Sequence, residues 1–157
     1  METQRDAAAV RIFPPAVPLA TILLGVGLQR MWPIGLGLPA PVRYWIGGLI
    51  VVGAILGLGA WPVLLFRRGG QSEIPWTPTL HIEQRGPYRF TRNPMYLQMV
   101  LVCVGVAILL GNVWIFALTP LCAWLLQRLA ILPEEAYLER KFGDGYRAYK
   151  QRVRRWL

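Results

Sequence analysis

The chain has 157 residues, 55% of them hydrophobic, and its seventeen Lys and Arg against eight Asp and Glu give a formal net charge of +9. Its mean hydropathy of +0.40 lies above the range of ordinary soluble domains. The positive charge argues against a nucleic-acid partner, because the basic residues cluster beside long charge-free runs, where they suit anionic lipid headgroups.

Residues 12–29, 44–66 and 93–127 contain no Asp, Glu, Lys, Arg or His. A spanning helix needs roughly 20 apolar residues, so the first two runs supply one span each. The third, 35 residues long, suits two. The expectation is an all-α integral membrane protein of one domain, residues 1–157, with about four transmembrane helices. Two N-terminal spans occupy 1–66, a loop 67–92, a helical hairpin 93–132, and a tail with an amphipathic interfacial region 133–157.

Taken in order, the first span begins among Pro14, Pro15 and Pro18, a residue type accepted only near a helix start. No cleavable signal is expected, since Arg5 and Arg11 precede a Pro-broken stretch without a small-residue cleavage site. Residues 31–42, rich in Pro and Gly, read as a loop or a shallow re-entrant piece. Arg30 and Arg43 flank that loop, five basic residues fall in 67–92, and eight lie from Arg128 onward. Loop and tail thus hold thirteen of the seventeen. Basic residues favour the cytoplasmic side, which places both termini, the loop and the tail on that face of an inner (cytoplasmic) membrane.

The polar chemistry sits in the loop and the tail. In GPYRFTRNPMYLQ, residues 86–98, Asn93 suits an N-cap and Pro94 the first helical position. The free N–H groups of that helix start attract anions, and Arg89 and Arg92 add positive charge there. A capped helix with arginines reaching the headgroups is the bland alternative to a pocket for a carboxylate or phosphate. Gly111-Asn112 is the polar, flexible point at which the long run reverses. Cys103 and Cys122 fall within spans, without a CxxC, and read as buried apolar residues, so neither a disulfide nor a metal site is expected. Pro133-Glu134-Glu135 reads as a helix start with acids in its first turn. Leu138, Phe142, Tyr146, Tyr149, Val153 and Trp156 then form one apolar stripe expected to lie on the membrane surface, broken at Gly143 and Gly145.

With both segments in view, the chain resembles the isoprenylcysteine carboxyl methyltransferase and phospholipid methyltransferase superfamily of membrane enzymes. The likeness covers residues 80–156, about half the chain. It rests on GPYRFTRNPMYLQ followed by EEAYLERKFGDGYRAYKQRVRRW, similar to a G-x-Y-x-x-x-R-H-P-x-Y-x-G hallmark, a Glu-Glu pair and F-G-x-x-Y-x-x-Y. The resemblance implies S-adenosylmethionine as cofactor, with no metal, in a pocket made by the loop, the start of the third helix and the tail. Carried over, Tyr88, Asn93, Pro94, Met95, Tyr96 and Glu134 bind the cofactor, and Leu80, His81, Ile82 and Glu83 form a covering loop. Glu135 and Arg92 are the catalytic candidates, and Arg89 and Arg128 the substrate-binding ones.

Three positions depart from the pattern. Asn93 replaces a histidine, Gln98 a glycine, and Ala130 stands where the prenylcysteine enzymes carry a substrate arginine. The last disfavours a prenylcysteine carboxylate as substrate. The implied reaction is O-, N- or S-methylation of a hydrophobic or lipid-like acceptor at the cytoplasmic face, with Glu134 or Glu135 as base for an amine. A four-helix transporter is disfavoured by the absence of an ionisable residue within the charge-free runs. A non-catalytic scaffold would leave the RNPMY and PEE segments without a role.

Overall fold

The computed structural model describes residues 7–10, 12–70, 72, 74 and 76–157. Arg5 and Arg11, counted above among the basic residues, lie outside the described residues. Among the described residues the chain is helical, with two isolated β-bridges and no strand.

Five helices follow one another: α1 (Ala16–Met31), α2 (Ala40–Arg68), α3 (Pro94–Leu110), α4 (Val113–Phe142) and α5 (Asp144–Arg152). Of these, α2 with 29 residues and α4 with 30 are long and apolar enough to cross a membrane, while α1 and α3 are shorter apolar helices. Only 11% of the apolar window of α2 is buried within the chain, and its Trp45 and Leu49 are 81% and 75% exposed. A soluble protein would leave that much apolar surface in water at a cost of about 25 cal/mol per Å². Lipid removes the cost.

Both long helices pass a proline by the same device. A widened π-type turn, Ala54–Ala60 in α2 and Gln127–Ile131 in α4, ends two residues before Pro62 and Pro133 respectively. A helical proline donates no N–H and its ring crowds the carbonyl four residues back; a widened turn at that place lets the helix continue. Pro133 therefore does not begin a new helix, as its neighbouring acids suggest. It is an inner turn of α4, which at a rise of 1.5 Å per residue is about 45 Å long, more than the bilayer core.

The helices run antiparallel. At one end α3 turns into α4 through Gly111, whose φ of +60° is left-handed, and Asn112, whose side chain accepts from Trp114 N–H and Ile115 N–H at 2.9 and 3.0 Å. Asn112 Nδ2 also donates to the Gly25 carbonyl at 3.1 Å, which fastens α1 to the turn. The connection between α1 and α2 rests there too, through Leu36 N–H to Gly111 O at 3.2 Å. α2 meets α3 at Gly47 and Gly105. A Cβ added to Gly105 would lie 2.6 Å from Val51 Cγ2, and one added to Gly47 would lie 2.7 Å from the Gly105 carbonyl, so the two backbones touch. Cys103 and Cys122 are free and fully buried in the core beside Leu126, Ala130 and Ile131.

The opposite end gathers the rest of the polar chemistry: the end of α2, the 67–92 loop, the start of α3, the last turns of α4, and α5. An extended N-terminal arm also reaches it. Ala8 and Val10 of that arm are buried in the same core as Tyr96 and Tyr137, and Trp76 Nε1 donates to the Val10 carbonyl at 2.7 Å.

Candidate active site

A cleft of about 800 Å³, counting its open mouth, occupies this end. The loop supplies Thr79, His81, Ile82 and Glu83; the short 3₁₀ turn Gly86–Arg89 supplies Tyr88; the start of α3 supplies Arg92 through Tyr96; α4 supplies Glu134, Glu135, Tyr137 and Leu138; α5 supplies Tyr146 and Tyr149. Phe66 of α2 and Ala8 of the arm complete the lining.

The walls touch across the cleft. Tyr96 Oη donates to Glu134 Oε2 at 2.8 Å, and Arg92 Nη2 donates to Glu135 Oε1 at 2.9 Å. Consecutive helical residues point in directions about 100° apart, so the adjacent acids engage different partners. Glu135 is saturated: Arg155 also donates to it, Nε to Oε1 at 3.1 Å and Nη2 to Oε2 at 2.7 Å. Glu134 accepts from Tyr96. Burial pushes Glu134 above the usual carboxylate range; the Tyr96 bond opposes this shift and the Glu135 charge adds to it.

The third acid of the cleft is also taken. Glu83 Oε1 accepts from Gln84 N–H, Arg85 N–H and Arg85 Nε, and Oε2 from Arg85 Nη2 at 2.8 Å. The Arg85 guanidinium holds this carboxyl far down, at about 2. His81, 45% exposed at its side chain, stands 3.9 Å from Glu83 Oε2 at the rim.

Aromatic rings close the cleft. Phe66 stacks on Tyr88 at 5.6 Å between centroids, and Tyr149 Oη donates to the Tyr88 carbonyl at 2.7 Å, tying α5 to the loop. Burial raises the phenols of Tyr88, Tyr146 and Tyr149 above their ordinary value, so they stay neutral. Rings with buried acids beside them suit a cation, attracted both to the ring faces and to the carboxylate.

Asn93 takes the N-cap position of α3, but its side chain does not cap. Its Nδ2 donates instead to the Arg155 carbonyl at 3.1 Å. Its amide is spent on the tail, which leaves the first-turn N–H groups of α3 without a side-chain cap at the edge of the cleft. Beside them Arg92, only 7% exposed at its side chain, has a buried Nε with no partner. Together these form an anion-friendly corner opposite the aromatic, acidic one.

The structure therefore gathers Arg92, Asn93, Pro94, Met95, Tyr96, Tyr88, His81, Ile82, Glu83, Glu134 and Glu135 around one cleft. It does not place Leu80, Arg89 or Arg128 in the lining. Leu80 is 62% exposed. Arg89 is exposed at the end of the 3₁₀ turn, and Arg128 lies over the outward-facing Trp124 ring at 5.9 Å, where a long cation reaches the headgroups. The tail stripe is corrected as well. Tyr146 and Tyr149 are 2% and 3% exposed and line the cleft instead of lying on lipid. Tyr137, Phe66, Ala8 and Arg155 are the participants that sequence reasoning missed. For Tyr146 and Tyr149 the three-residue spacing was a visible signal; for Ala8 and Arg155 no local pattern marks the contact.

A second, apolar groove of about 700 Å³ lies between the start of α1 and the outer face of α4, lined by Ile12, Phe13, Val17, Leu24, Leu118 and Leu121 among others. Fold and sites together describe a helical membrane protein whose one end closes into a cleft lined by acids, an arginine and aromatic rings.

The sequence comparisons supply the family. The phospholipid methyltransferase profile matches residues 42–145, two thirds of the chain and most of the cleft-forming elements, and the chain belongs to that family. An uncharacterised protein of Haemophilus influenzae is 43% identical over 63 residues, 40% of this chain and all of that one. The protein-S-isoprenylcysteine O-methyltransferase of Schizosaccharomyces pombe is 37% identical over 68 residues, 43% of this chain and 29% of the relative. No solved structure matches. The superfamily resemblance in the loop and tail motifs stands on these matches.

Proposed function

We propose that this chain is an S-adenosylmethionine-dependent methyltransferase with four spanning helices, acting on a hydrophobic or lipid-like acceptor at the cytoplasmic face of the inner membrane. The observation that carries the reading is the closure of the cleft by Tyr96–Glu134 and Arg92–Glu135, which joins the two family motifs into one pocket. The residues present fit the cofactor. The unsaturated Glu134 and the tyrosine rings suit its sulfonium and ammonium, and the uncapped start of α3 with the free Arg92 Nε suits its carboxylate. When bound, it supplies a methyl group on positively charged sulfur, open to in-line displacement by a nucleophile.

The chain's own task is then to position, dehydrate and remove a proton. Glu135 is held by two guanidinium groups, so Glu134 is the better proton acceptor. The described basic residues lining the cleft are Arg92, already on Glu135, and the half-exposed His81. A carboxylate acceptor would meet Glu134 without a spare guanidinium to balance it. An amine or thiol would suit the site better, because Glu134, oriented by Tyr96, could take its proton. The groove beside Ile12 and Phe13 offers a lipid-like acceptor an apolar surface on the bilayer side.

The test is equilibrium binding of labelled S-adenosylmethionine to detergent-purified protein, then methyl transfer into a lipid extract with identification of the labelled product. Micromolar binding that is lost in Glu134→Ala supports the reading. Undiminished affinity in that variant rejects the assigned role, and no binding by the unaltered chain rejects the function.

A further inference from the structure

Three carboxylates line the cleft, and they are not equivalent. Glu83 is saturated by its own loop through Arg85. Glu135 is saturated from both sides, by Arg92 of the loop–helix junction and by Arg155 of the C-terminal segment. Glu134 accepts from the neutral Tyr96 hydroxyl alone among these side chains. Two neighbouring acids of α4 thus meet opposite fates, and what separates them comes from 20 residues further along the chain.

Arg155 is itself anchored. Its carbonyl accepts from Thr91 Oγ1 at 3.0 Å and from Asn93 Nδ2 at 3.1 Å, and the Arg154 carbonyl accepts from Arg92 N–H at 2.9 Å. The C-terminal segment therefore lies beside residues 91–93 as a short parallel bridge. Its guanidinium reaches Glu135 through two hydrogen bonds, in the forked geometry that makes Arg–carboxylate pairs strong. Trp156 Nε1 pins the next residue to Gln127 Oε1 at 2.9 Å.

We propose that Arg155 is a positioning residue that divides the work of the adjacent glutamates: it fixes Glu135 as a strut between the loop and the tail, and leaves Glu134 as the one carboxylate the cleft offers to a bound cation. The identity of that cation rests on the donor-site reading above; the inequality of the two glutamates does not. The charged and titratable groups facing this acid pair are Tyr96 and Arg92 from the α3 start, Tyr88 and Glu83 from the loop, Tyr146 from α5, and Arg155. Of these, Arg155 is the cation contributed by the C-terminal segment. Without it, one arginine would face two acids in a largely dehydrated place, and Glu135 would lose its tie to the C-terminal segment.

A hydrophobic carbodiimide distinguishes the two, because it adds to a buried carboxyl whose oxygens are open and spares one whose oxygens are both held by guanidinium groups. The detergent-purified chain is treated with dicyclohexylcarbodiimide near neutral pH, digested, and the adducts are mapped by mass spectrometry. The expected result is modification of Glu134 with Glu135 spared. Arg155→Met is expected to raise modification of Glu135 several-fold, because its Oε2 loses the Arg155 partner. Arg155→Lys restores the sparing, since an ammonium supplies the charge. Thr91→Val removes another hold on the same segment without touching the charge, and should lower the thermal midpoint while Glu135 stays unmodified. Modification of Glu135 in the unaltered chain, or of neither glutamate, overturns the proposal. So does equal modification of Glu135 in Thr91→Val and Arg155→Met, which would make packing the protector. Adding S-adenosylmethionine separates the two readings: protection of Glu134 supports the donor site, while an unchanged Glu134 adduct with Glu135 still spared rejects the donor and keeps the role of Arg155.

Discussion

The 2.8 Å bond from Tyr96 to Glu134 links the two halves of the cleft, and it gives the most direct residue-level expectation. Tyr96→Phe keeps the ring and deletes the hydroxyl. A hydrogen bond to a charged group contributes about 1.5–3 kcal/mol, so donor affinity should weaken at least about tenfold by equilibrium binding. An unchanged dissociation constant would mean that Glu134 is oriented by something else. Glu83 gives a pH signature. Its carboxyl is 3% exposed at the side chain and is held at about 2 by Arg85. A depressed folded-state value contributes stability that is present above the unfolded value near 4.3 and is lost as pH falls toward 2. Arg85 is 65% exposed, so solvent screens much of the attraction. The Glu83→Gln protein should therefore show a lower midpoint at neutral pH, and its stability should fall less steeply between pH 4.5 and 2 in thermal scans. Parallel acid limbs for both proteins would refute the pairing.

Helix against helix, the contacts depend on the absence of side chains. Gly105 meets Val51 and the Gly47 backbone, so Gly105→Leu forces α2 and α3 apart. Overpacking of this sort costs typically about 1–3 kcal/mol, read as a lowered unfolding midpoint in detergent. Gly48, one residue from that contact, has open space where a Cβ would go, and Gly48→Leu should leave the midpoint within error. Equal effects of both would show that the seam is not where the structure puts it. Asn112 is the corresponding polar element. As cap of α4 and anchor of α1, its replacement by Ala should cost about 1–2 kcal/mol.

Over the whole molecule, what the sequence reveals divides by the range of the interaction. The apolar runs, the start of α3 at Asn93-Pro94 and the reversal at Gly111-Asn112 are local, written into composition and into two dipeptides. The break at Gly143 is local too: its φ of +52° with ψ of −124° is a backbone state open to glycine and strained for other residues. Pro133 misleads because the widened turn that accommodates it lies upstream, in residues with no distinctive chemistry. The tail stripe misleads because periodicity says that a face is apolar, not whether lipid or protein covers it. The candidate site was visible as motifs, yet no local pattern separates Glu134 from Glu135 beyond the roles the resemblance implies, since the partners that distinguish them lie 38 residues before one and 20 after the other. The arm at Ala8 and Val10 carries no pattern at all. A final expectation tests it: Trp76→Phe removes the hydrogen bond to Val10 and should speed amide exchange over residues 7–10, leaving α3 and α4 protected. Unaltered exchange would show that burial alone holds the arm.

The stitching of residues 153–157 to residues 91–93 has a consequence for how such a molecule is made. The apolar helices α1 to α4 leave the ribosome before this segment does, so a nascent chain can have its apolar helices in the bilayer and still lack the piece that joins its halves. A chain stopped after Arg152 should enter the bilayer normally and yet be nicked by protease at residues 76–92, where the finished protein resists.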